Sequence, residues 1–181
     1  MEGGLRVGDG RKGGHVKPIE GEDAGDDRQR CALKSLARDQ RAYKRVMAWP
    51  GPVRKSAVEL AQGYPVELRA MGTMQALAFS MGKAEAGHGA LAGAIADWVL
   101  SRESGAPLGQ ADEADRSPEE LLRRLSRASR AAYLAADSEA IAFADAIKLI
   151  GKAILRSEKA AEPRGRDKAA PRAGKAAPRS G

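Results

Sequence analysis

Four basic residues recur at one-turn spacing in the first predicted helix, and they are the clearest candidates for chemistry in this sequence. Basic side chains three or four residues apart lie on one face of a helix. Such a row can neutralise the phosphates of a nucleic acid by releasing counterions. It is also typical of a solvated helix face. The row consists of Lys34, Arg38, Arg41 and Arg45.

Other basic rows occur on later helices. Lys148, Lys152 and Arg156 share one face of the last predicted helix. The helix before it carries a separate basic face, made of Arg123, Arg124, Arg127 and Arg130. These rows suit contact with a polyanion, although each residue alone is typical of an ordinary surface charge.

Residues typical of catalysis or metal binding are few and scattered. His15 lies in the predicted Gly-rich arm, His88 lies between two glycines, and Cys31 is the only cysteine. Residues 8–13 match the GxGxxG pattern of dinucleotide-binding loops, but no buried strand precedes them. The acidic residues Asp112, Glu113 and Asp115 fall in a predicted loop, where such runs are usually solvated. We therefore predict no catalytic residue, cofactor, metal site or small-molecule substrate, and a protein that is not an enzyme.

Charge and composition divide the chain into three parts. The chain has 181 residues and a formal net charge of +7, of which residues 156–181 contribute +5. We predict a disordered Gly-rich arm at residues 1–30, a helical domain at residues 31–156, and a disordered basic tail at residues 157–181, where KAAPR occurs twice. The single cysteine and the lack of a long apolar run or signal peptide predict a cytoplasmic protein without a membrane partner.

Hydrophobic periodicity indicates helices and no strand. The predicted fold is all-α, a single compact bundle of about five to seven helices. One stripe of the first helix is expected to pack inward. It consists of Leu33, Leu36, Ala37, Gln40, Tyr43, Val46 and Met47. Residues 83–89, which contain His88, are predicted as a loop, and residues 102–116 as a longer one. Helices are predicted at residues 29–49, 53–62, 64–83, 91–101, 117–135 and from Asp137 or Ser138 to residue 156.

The stretch at residues 64–83 is predicted to be the buried centre of the bundle. Its apolar residues surround most of a helical wheel, which is typical of a buried helix. Gly72 interrupts this stretch, so we favour two helices with Thr73 capping the second over one continuous helix. Further along, Ser117 and Glu120 form a predicted capping box.

Several motifs between residues 38 and 156 resemble those of one known family. They are Asp39-Gln40-Arg41-Ala42, Tyr64-Pro65, MGTMQALAF at residues 71–79, Lys83, the helix around Trp98, Tyr133, and Ser138-Glu139-Ala140-Ile141. In these motifs the sequence is similar to the small α-helical subunit of the type III-B CRISPR effector, the Cmr complex. Gln75 with Leu77-Ala78-Phe79 and Lys83 is the most specific part. Met71, Thr73-Met74 and Ser138 depart from the family pattern, and the related small subunit of type III-A complexes is easily confused with this family.

The resemblance implies a non-catalytic subunit of an RNA-guided antiviral complex. Its partners would be other CRISPR effector subunits, copies of itself in a filament, and guide RNA and target RNA in the channel that it lines. The resemblance singles out Arg41 and Lys83 as RNA contacts, and the basic rows add the others. The predicted RNA-backbone contacts are Arg38, Arg41, Arg45, Lys83, Lys148 and Lys152.

Two other functions fit parts of the sequence. The Lys/Ala/Pro/Arg tail is similar to basic tails that coat duplex DNA, so a nucleoid-associated, non-specific DNA-binding protein is the main alternative. A protein-interaction scaffold with solvated basic rows is the second. Loss of DNA affinity when the tail is removed would favour the first alternative, and a lack of salt-dependent RNA binding would favour the second.

Overall fold

A computed structural model of the chain describes residues 23–161, and all of its regular secondary structure is helical. This confirms the predicted all-α class, and the described residues contain no strand. The predicted arm and tail, the GxGxxG match, His15 and the KAAPR repeats lie wholly or mostly outside the described residues. The helices are α1 (Asp23–Ala48), α2 (Gly51–Ala61), α3 (Tyr64–Met71), α4 (Thr73–Met81), α5 (Ala86–Val99), α6 (Pro118–Leu125) and α7 (Arg130–Ala161), with a 3₁₀ turn at Glu113–Asp115.

The chain divides into two units, Met1–Leu33 and Lys34–Gly181. The described part of the first unit is the start of α1, which begins six residues before the predicted position. From residue 26 to Leu33 its side chains are exposed, including Cys31. Asp26 and Arg30 form an ion pair one turn apart. Such exposed pairs stabilise a helix by only about 0.3–0.5 kcal/mol.

The buried centre of the second unit is α5, and not the stretch at residues 64–83. Ten of the fourteen residues of α5 are buried. Trp98 stacks on Phe143 of α7 with ring centroids 5.3 Å apart. In contrast, Met71, Met74 and Phe79 of α3 and α4 are partly exposed, so the prediction of a buried centre there is wrong. The many alanines and glycines of α5 let neighbouring helices approach from several sides, which a count of large apolar residues does not reveal.

The first turn of α5 occupies most of the segment that was predicted to be a loop. The helix begins at Ala86, so His88 is helical and buried rather than solvated. A Cβ atom at Gly87 would lie 2.3 Å from Ser56 Oγ and 3.0 Å from the backbone nitrogen of Ala57 in α2. The glycine that suggested a loop is therefore needed for close packing of two helices.

The predicted break at Gly72 is confirmed, but the cap comes from a distant helix. Gly72 itself is the N-cap of α4, with φ 80° and ψ 157°. The backbone nitrogen and Oγ1 of Thr73 both donate to Asp137 Oδ1, at 2.8 and 2.6 Å. Asp137 lies inside α7 instead of starting it, because α7 begins at Arg130 and Ser129 Oγ accepts a hydrogen bond from Ala132 N. The predictions that Thr73 caps α4 and that Asp137 or Ser138 starts the last helix are wrong.

Helix α6 starts as predicted and ends early. Ser117 Oγ accepts a hydrogen bond from the backbone nitrogen of Glu120 at 3.1 Å, which confirms the Ser117 half of the predicted capping box. The other half is not formed, because the backbone nitrogen of Ser117 donates to the carbonyl oxygen of Asp115. The Glu120 carboxylate binds Arg123 and Arg124, whose hydrogen bonds lower the pKa of Glu120 to about 2. Helix α6 ends at Leu125, ten residues before the predicted end. The predicted long loop is fastened by Arg124, which donates to the carbonyl oxygens of residues 108–110.

Candidate nucleic-acid interface

The part of α1 that belongs to the second unit, from Lys34 onward, packs on α5 and α7 through its basic face. Arg41 and Arg45 reach Asp97 of α5, and Arg38 reaches Glu139 of α7. Ala42 and Val46 are buried beside these ion pairs, whereas Leu36, Tyr43 and Met47 are 54%, 52% and 43% exposed. The predicted orientation of α1 is therefore correct for Ala37 and Val46, which face the core, but its basic row also faces inward, and Leu36, Tyr43 and Met47 face outward.

Asp97 is the centre of a cluster of three arginines. Its side chain is 2% exposed. Arg41 binds it with two hydrogen bonds of 2.7 and 2.6 Å, and Arg45 Nε donates at 3.0 Å. Arg116 Nη1 lies 3.7 Å from Asp97 Oδ1. Burial alone would raise the pKa of Asp97, but the hydrogen bonds from Arg41 and Arg45 outweigh it and hold the pKa below its ordinary value.

Glu139 provides the second attachment of α1. Its carboxylate lies 2.5 Å from Lys34 Nζ and 3.4 Å from Arg38 Nη2, and accepts a hydrogen bond from Trp98 Nε1 at 3.2 Å. The guanidinium of Arg38 also lies 5.8 Å from the centroid of the Trp98 ring, within the range of a cation–π contact. All four cations of the row thus have a carboxylate partner inside the domain, but the two carboxylates balance only half of their charge.

Lowering the pH is expected to weaken the fold through Asp97. Its folded-state pKa lies below the unfolded value, so its stabilisation is complete above about pH 4 and is lost as the pH falls through the folded pKa. We expect the urea midpoint of the wild type to fall more steeply with pH in this range than that of Asp97→Asn, which cannot titrate there. Glu103 and Glu120 titrate in both proteins, so their contributions to the pH dependence of stability cancel when the two proteins are compared. Identical slopes would contradict this assignment.

The structure places the other three candidate residues away from this cluster. Lys83 is exposed after α4, with Nζ 4.6 Å from the centroid of the Phe79 ring. Lys148 follows Glu139 by nine residues, or about two and a half helical turns, so it faces away from α1. Lys152 lies one turn further on the same side and lines a groove beside α2. The six candidates therefore do not form one continuous row.

A second basic surface is formed along α7. Four cations occupy one side of it at intervals of three or four residues and extend about 16 Å along the helix axis. Within the described part of the chain none of them forms an ion pair, and three of them line a groove of about 420 Å³ whose floor includes Val58 and Leu155. We call this surface the α7 basic strip: Lys148, Lys152, Arg156 and Lys159.

Only two of the four residues of the α7 basic strip, Lys148 and Lys152, are among the six candidates from the sequence. Arg156 was recognised as part of the row but not as a candidate. Lys159 was missed because the last helix was predicted to end at residue 156, whereas α7 continues to Ala161. The spacing of Lys159 from Lys152 and Arg156 was the available signal, because seven and three residues return to the same side of a helix.

The described residues contain neither a metal-binding cluster nor a membrane-spanning helix. No group of three or more histidine, cysteine, aspartate or glutamate residues between 23 and 161 is placed to hold a metal ion. None of the helices in this part of the chain is both long and apolar enough to cross a bilayer.

The sequence matches the family described as CRISPR-associated protein (Cas_Cmr5) over residues 34–154. This match covers more than half of the chain. The chain belongs to the Cas_Cmr5 family. Cas_Cmr5 proteins are the small subunits of type III-B CRISPR complexes, so the resemblance found in the sequence is confirmed and the protein is a CRISPR-associated type III subunit. No curated protein and no solved structure matches the chain.

The Cas_Cmr5 match includes most of the structural features described above. It begins at Lys34, which binds Glu139, and contains all three arginines that surround Asp97. Lys148 and Lys152 lie inside the matched region, and Arg156 and Lys159 lie just beyond it. Family membership implies an effector complex with other subunits.

Proposed function

We propose that this Cas_Cmr5 protein is a non-catalytic structural subunit of a type III-B CRISPR effector complex in antiviral defence. It stacks with copies of itself along the backbone filament and lines the channel that holds guide and target RNA in the cytoplasm. Family membership supports the place in an effector complex. The single observation that supports contact with RNA is the α7 basic strip, whose four cations lack carboxylate partners among the described residues.

The proposed mechanism is neutralisation of the RNA backbone. Lysine and arginine contacts with phosphates release counterions and do not depend on sequence. Target choice comes from base pairing with the guide, as in other RNA-guided complexes. The cations of the α7 basic strip recur along one side of the helix. This arrangement suits an RNA backbone, whose negative phosphates also recur along its length.

We assign the six sequence candidates to two roles. Lys83, Lys148 and Lys152 contact RNA directly, together with Arg156 and Lys159, because their ammonium or guanidinium groups have no carboxylate partner in the described chain. Arg38 and Arg41 chiefly hold α1 in place, since their side chains are only 18% and 24% exposed in ion pairs. Arg45, at 38%, retains the most access to solvent of the three.

Neutralising the strip is expected to reduce the salt dependence of RNA binding. In the assembled complex, Lys148→Gln/Lys152→Gln/Arg156→Gln should lower the slope of log affinity against log salt by about two, because each lost contact with single-stranded RNA is worth about 0.7. The measurement is RNA affinity at several salt concentrations. The matched control, Arg102→Gln/Arg127→Gln/Arg130→Gln, removes the same charge from exposed positions elsewhere. Equal losses in both triple variants would show that only net charge matters.

Removal of residues 162–181 tests the alternative of a DNA-binding protein. The truncated chain should still co-purify from cells with other effector subunits and short guide RNAs. Recovery of bulk DNA by the full chain, its loss on truncation, and no effector subunits in either case would overturn the proposed function.

A further inference from the structure

The aromatic ring of Phe79, near the end of α4, keeps about half of its surface exposed to solvent. Its exposed fraction is 49%, whereas Ala76, Leu77 and Ser80 form the buried side of the same helix. The ring makes a T-shaped contact with His88 of α5, with ring centroids 6.2 Å apart and planes 77° apart. Contact with this buried side chain holds the exposed ring in one orientation.

Polar side chains, and not other large apolar ones, flank the Phe79 ring. Lys83 Nζ lies 4.6 Å from the ring centroid, within the range of a cation–π contact. Gln75 is exposed one helical turn before Phe79, about 40° from it around the axis of α4. Met74 is also exposed, but it points about 140° away from Phe79. We call Gln75, Phe79 and Lys83 the α4 platform.

The α4 platform combines the three kinds of group that can bind one nucleotide. An aromatic ring stacks on the face of a base, a glutamine amide donates and accepts hydrogen bonds at the edge of a base, and a lysine ammonium binds a phosphate. We propose that Phe79 stacks on an unpaired base of the RNA held in the complex, with Gln75 beside the edge of that base and Lys83 on the adjoining phosphate. This inference rests on the proposed function and adds a base contact to the backbone contacts assigned there.

The neighbours of Phe79 favour RNA over a protein partner at this site. The centre of a protein docking surface brings several apolar side chains together and keeps the polar ones at its rim. Here one aromatic ring lies between an amide and an ammonium group, and Met74 faces another direction. An exposed aromatic ring beside a cation is typical of single-strand binding sites, where stacking holds the base and the cation holds the backbone.

Stacking, and not charge, is expected to supply most of the affinity at the α4 platform. Lys83 is its single cation, and Glu85 is exposed two residues later, with its carboxylate 3.2 Å from Nε2 of His88. This carboxylate offsets part of the positive charge, so few counterions are released when RNA binds here. The α7 basic strip has four cations and should contribute far more to the salt dependence of RNA binding.

Two substitutions at position 79 test the stacking contact in the assembled complex. Phe79→Leu keeps an apolar side chain without an aromatic ring, and RNA affinity should fall roughly tenfold for each copy in contact, a loss typical of one base stack. The slope of log affinity against log salt should not change, because no phosphate contact is removed. Phe79→Tyr keeps the ring and should retain the affinity of the wild type. Met74→Leu, on another side of the same helix, is the matched control and should change neither quantity.

Ultraviolet cross-linking locates the contact independently of affinity. The complex is irradiated with a bound RNA that is complementary to the guide, and the nucleotide adducts are mapped by mass spectrometry. An adduct is expected on Phe79 in the wild type and in Met74→Leu, and none at position 79 in Phe79→Leu. Adducts confined to other parts of the chain would contradict the inference.

Three affinity results would also overturn the inference. Equal losses in Phe79→Leu and Phe79→Tyr would show that the ring does not act by stacking. Loss of the Phe79→Leu chain from the complex would show that a protein occupies this surface. Wild-type affinity in Phe79→Leu, together with a reduced salt slope in the triple variant of the α7 basic strip, would refute the base contact and leave the proposed function intact. Failure of the wild-type chain to join an effector complex would refute both.

Discussion

Replacing Asp97 with alanine is expected to lower the free energy of unfolding by about 3 kcal/mol, because removing one member of a buried ion pair leaves unbalanced charge. Three guanidinium groups, those of Arg41, Arg45 and Arg116, lie within 4 Å of this nearly fully buried carboxylate. The loss of stability should lie at the lower end of the range for buried ion pairs, because the three arginine side chains are 12–38% exposed. Water can therefore partly solvate the charges that the substitution leaves without a partner.

The measurement is urea unfolding of the full chain at neutral pH. Asp112→Ala removes an exposed carboxylate and should change the stability by no more than about 0.5 kcal/mol. Asp97→Asn keeps the shape and one acceptor oxygen, so its loss should lie between the two. If Asp97→Ala and Asp112→Ala unfold at the same urea concentration, the arginine cluster does not hold α1.

Replacing Gly72 with alanine is expected to cost about 2–3 kcal/mol through backbone strain. Its φ of 80° and ψ of 157° belong to a region that is essentially restricted to glycine. A Cβ atom there would also lie 2.8 Å from the Tyr133 hydroxyl oxygen. The junction of α3 and α4, and the hydrogen bonds from Thr73 to Asp137, would have to shift.

Two further variants separate backbone strain from the side-chain contact. Gly72→Ala/Tyr133→Phe removes the hydroxyl and should recover only a small part of the loss. Gly93→Ala, in the middle of α5, adds a Cβ into open space and should stabilise the protein by up to about 1 kcal/mol through helix propensity. Thermal unfolding of the four proteins is sufficient, and full recovery by Tyr133→Phe would show that the contact, and not the backbone, limits position 72.

Local signals predicted the helices and several of their ends correctly. The break at Gly72 and the Ser117 cap followed from glycine and serine chemistry within a few residues of each position. The same local reasoning misplaced Asp137, because a capping side chain can serve another helix 64 residues away as readily as its own. It also ended the last helix too early, although periodicity alone gave no reason to stop.

The orientation of α1 could not be predicted from α1 itself. Its sequence offers both an apolar stripe and a basic row, and either can face a protein interior if the partner is suitable. The orientation of α1 is set by two distant carboxylates. Asp97 lies 56 residues from its partner Arg41, and Glu139 lies 101 residues from its partner Arg38. A single sequence does not tell whether an arginine meets a carboxylate of its own chain or a phosphate.

Because the basic face of α1 points inward, the amino-acid sequence of its outer face is less constrained by the fold. Leu36, Tyr43 and Met47 keep about half of their surface exposed, so they bury less than the core-facing side of the helix, which bears Arg38 and Arg41. Substitutions on the outer side of α1 are therefore expected to change the stability of the fold less than substitutions on its inner side. The same positions are suitable for attaching fluorophores or affinity handles with limited disturbance of the fold.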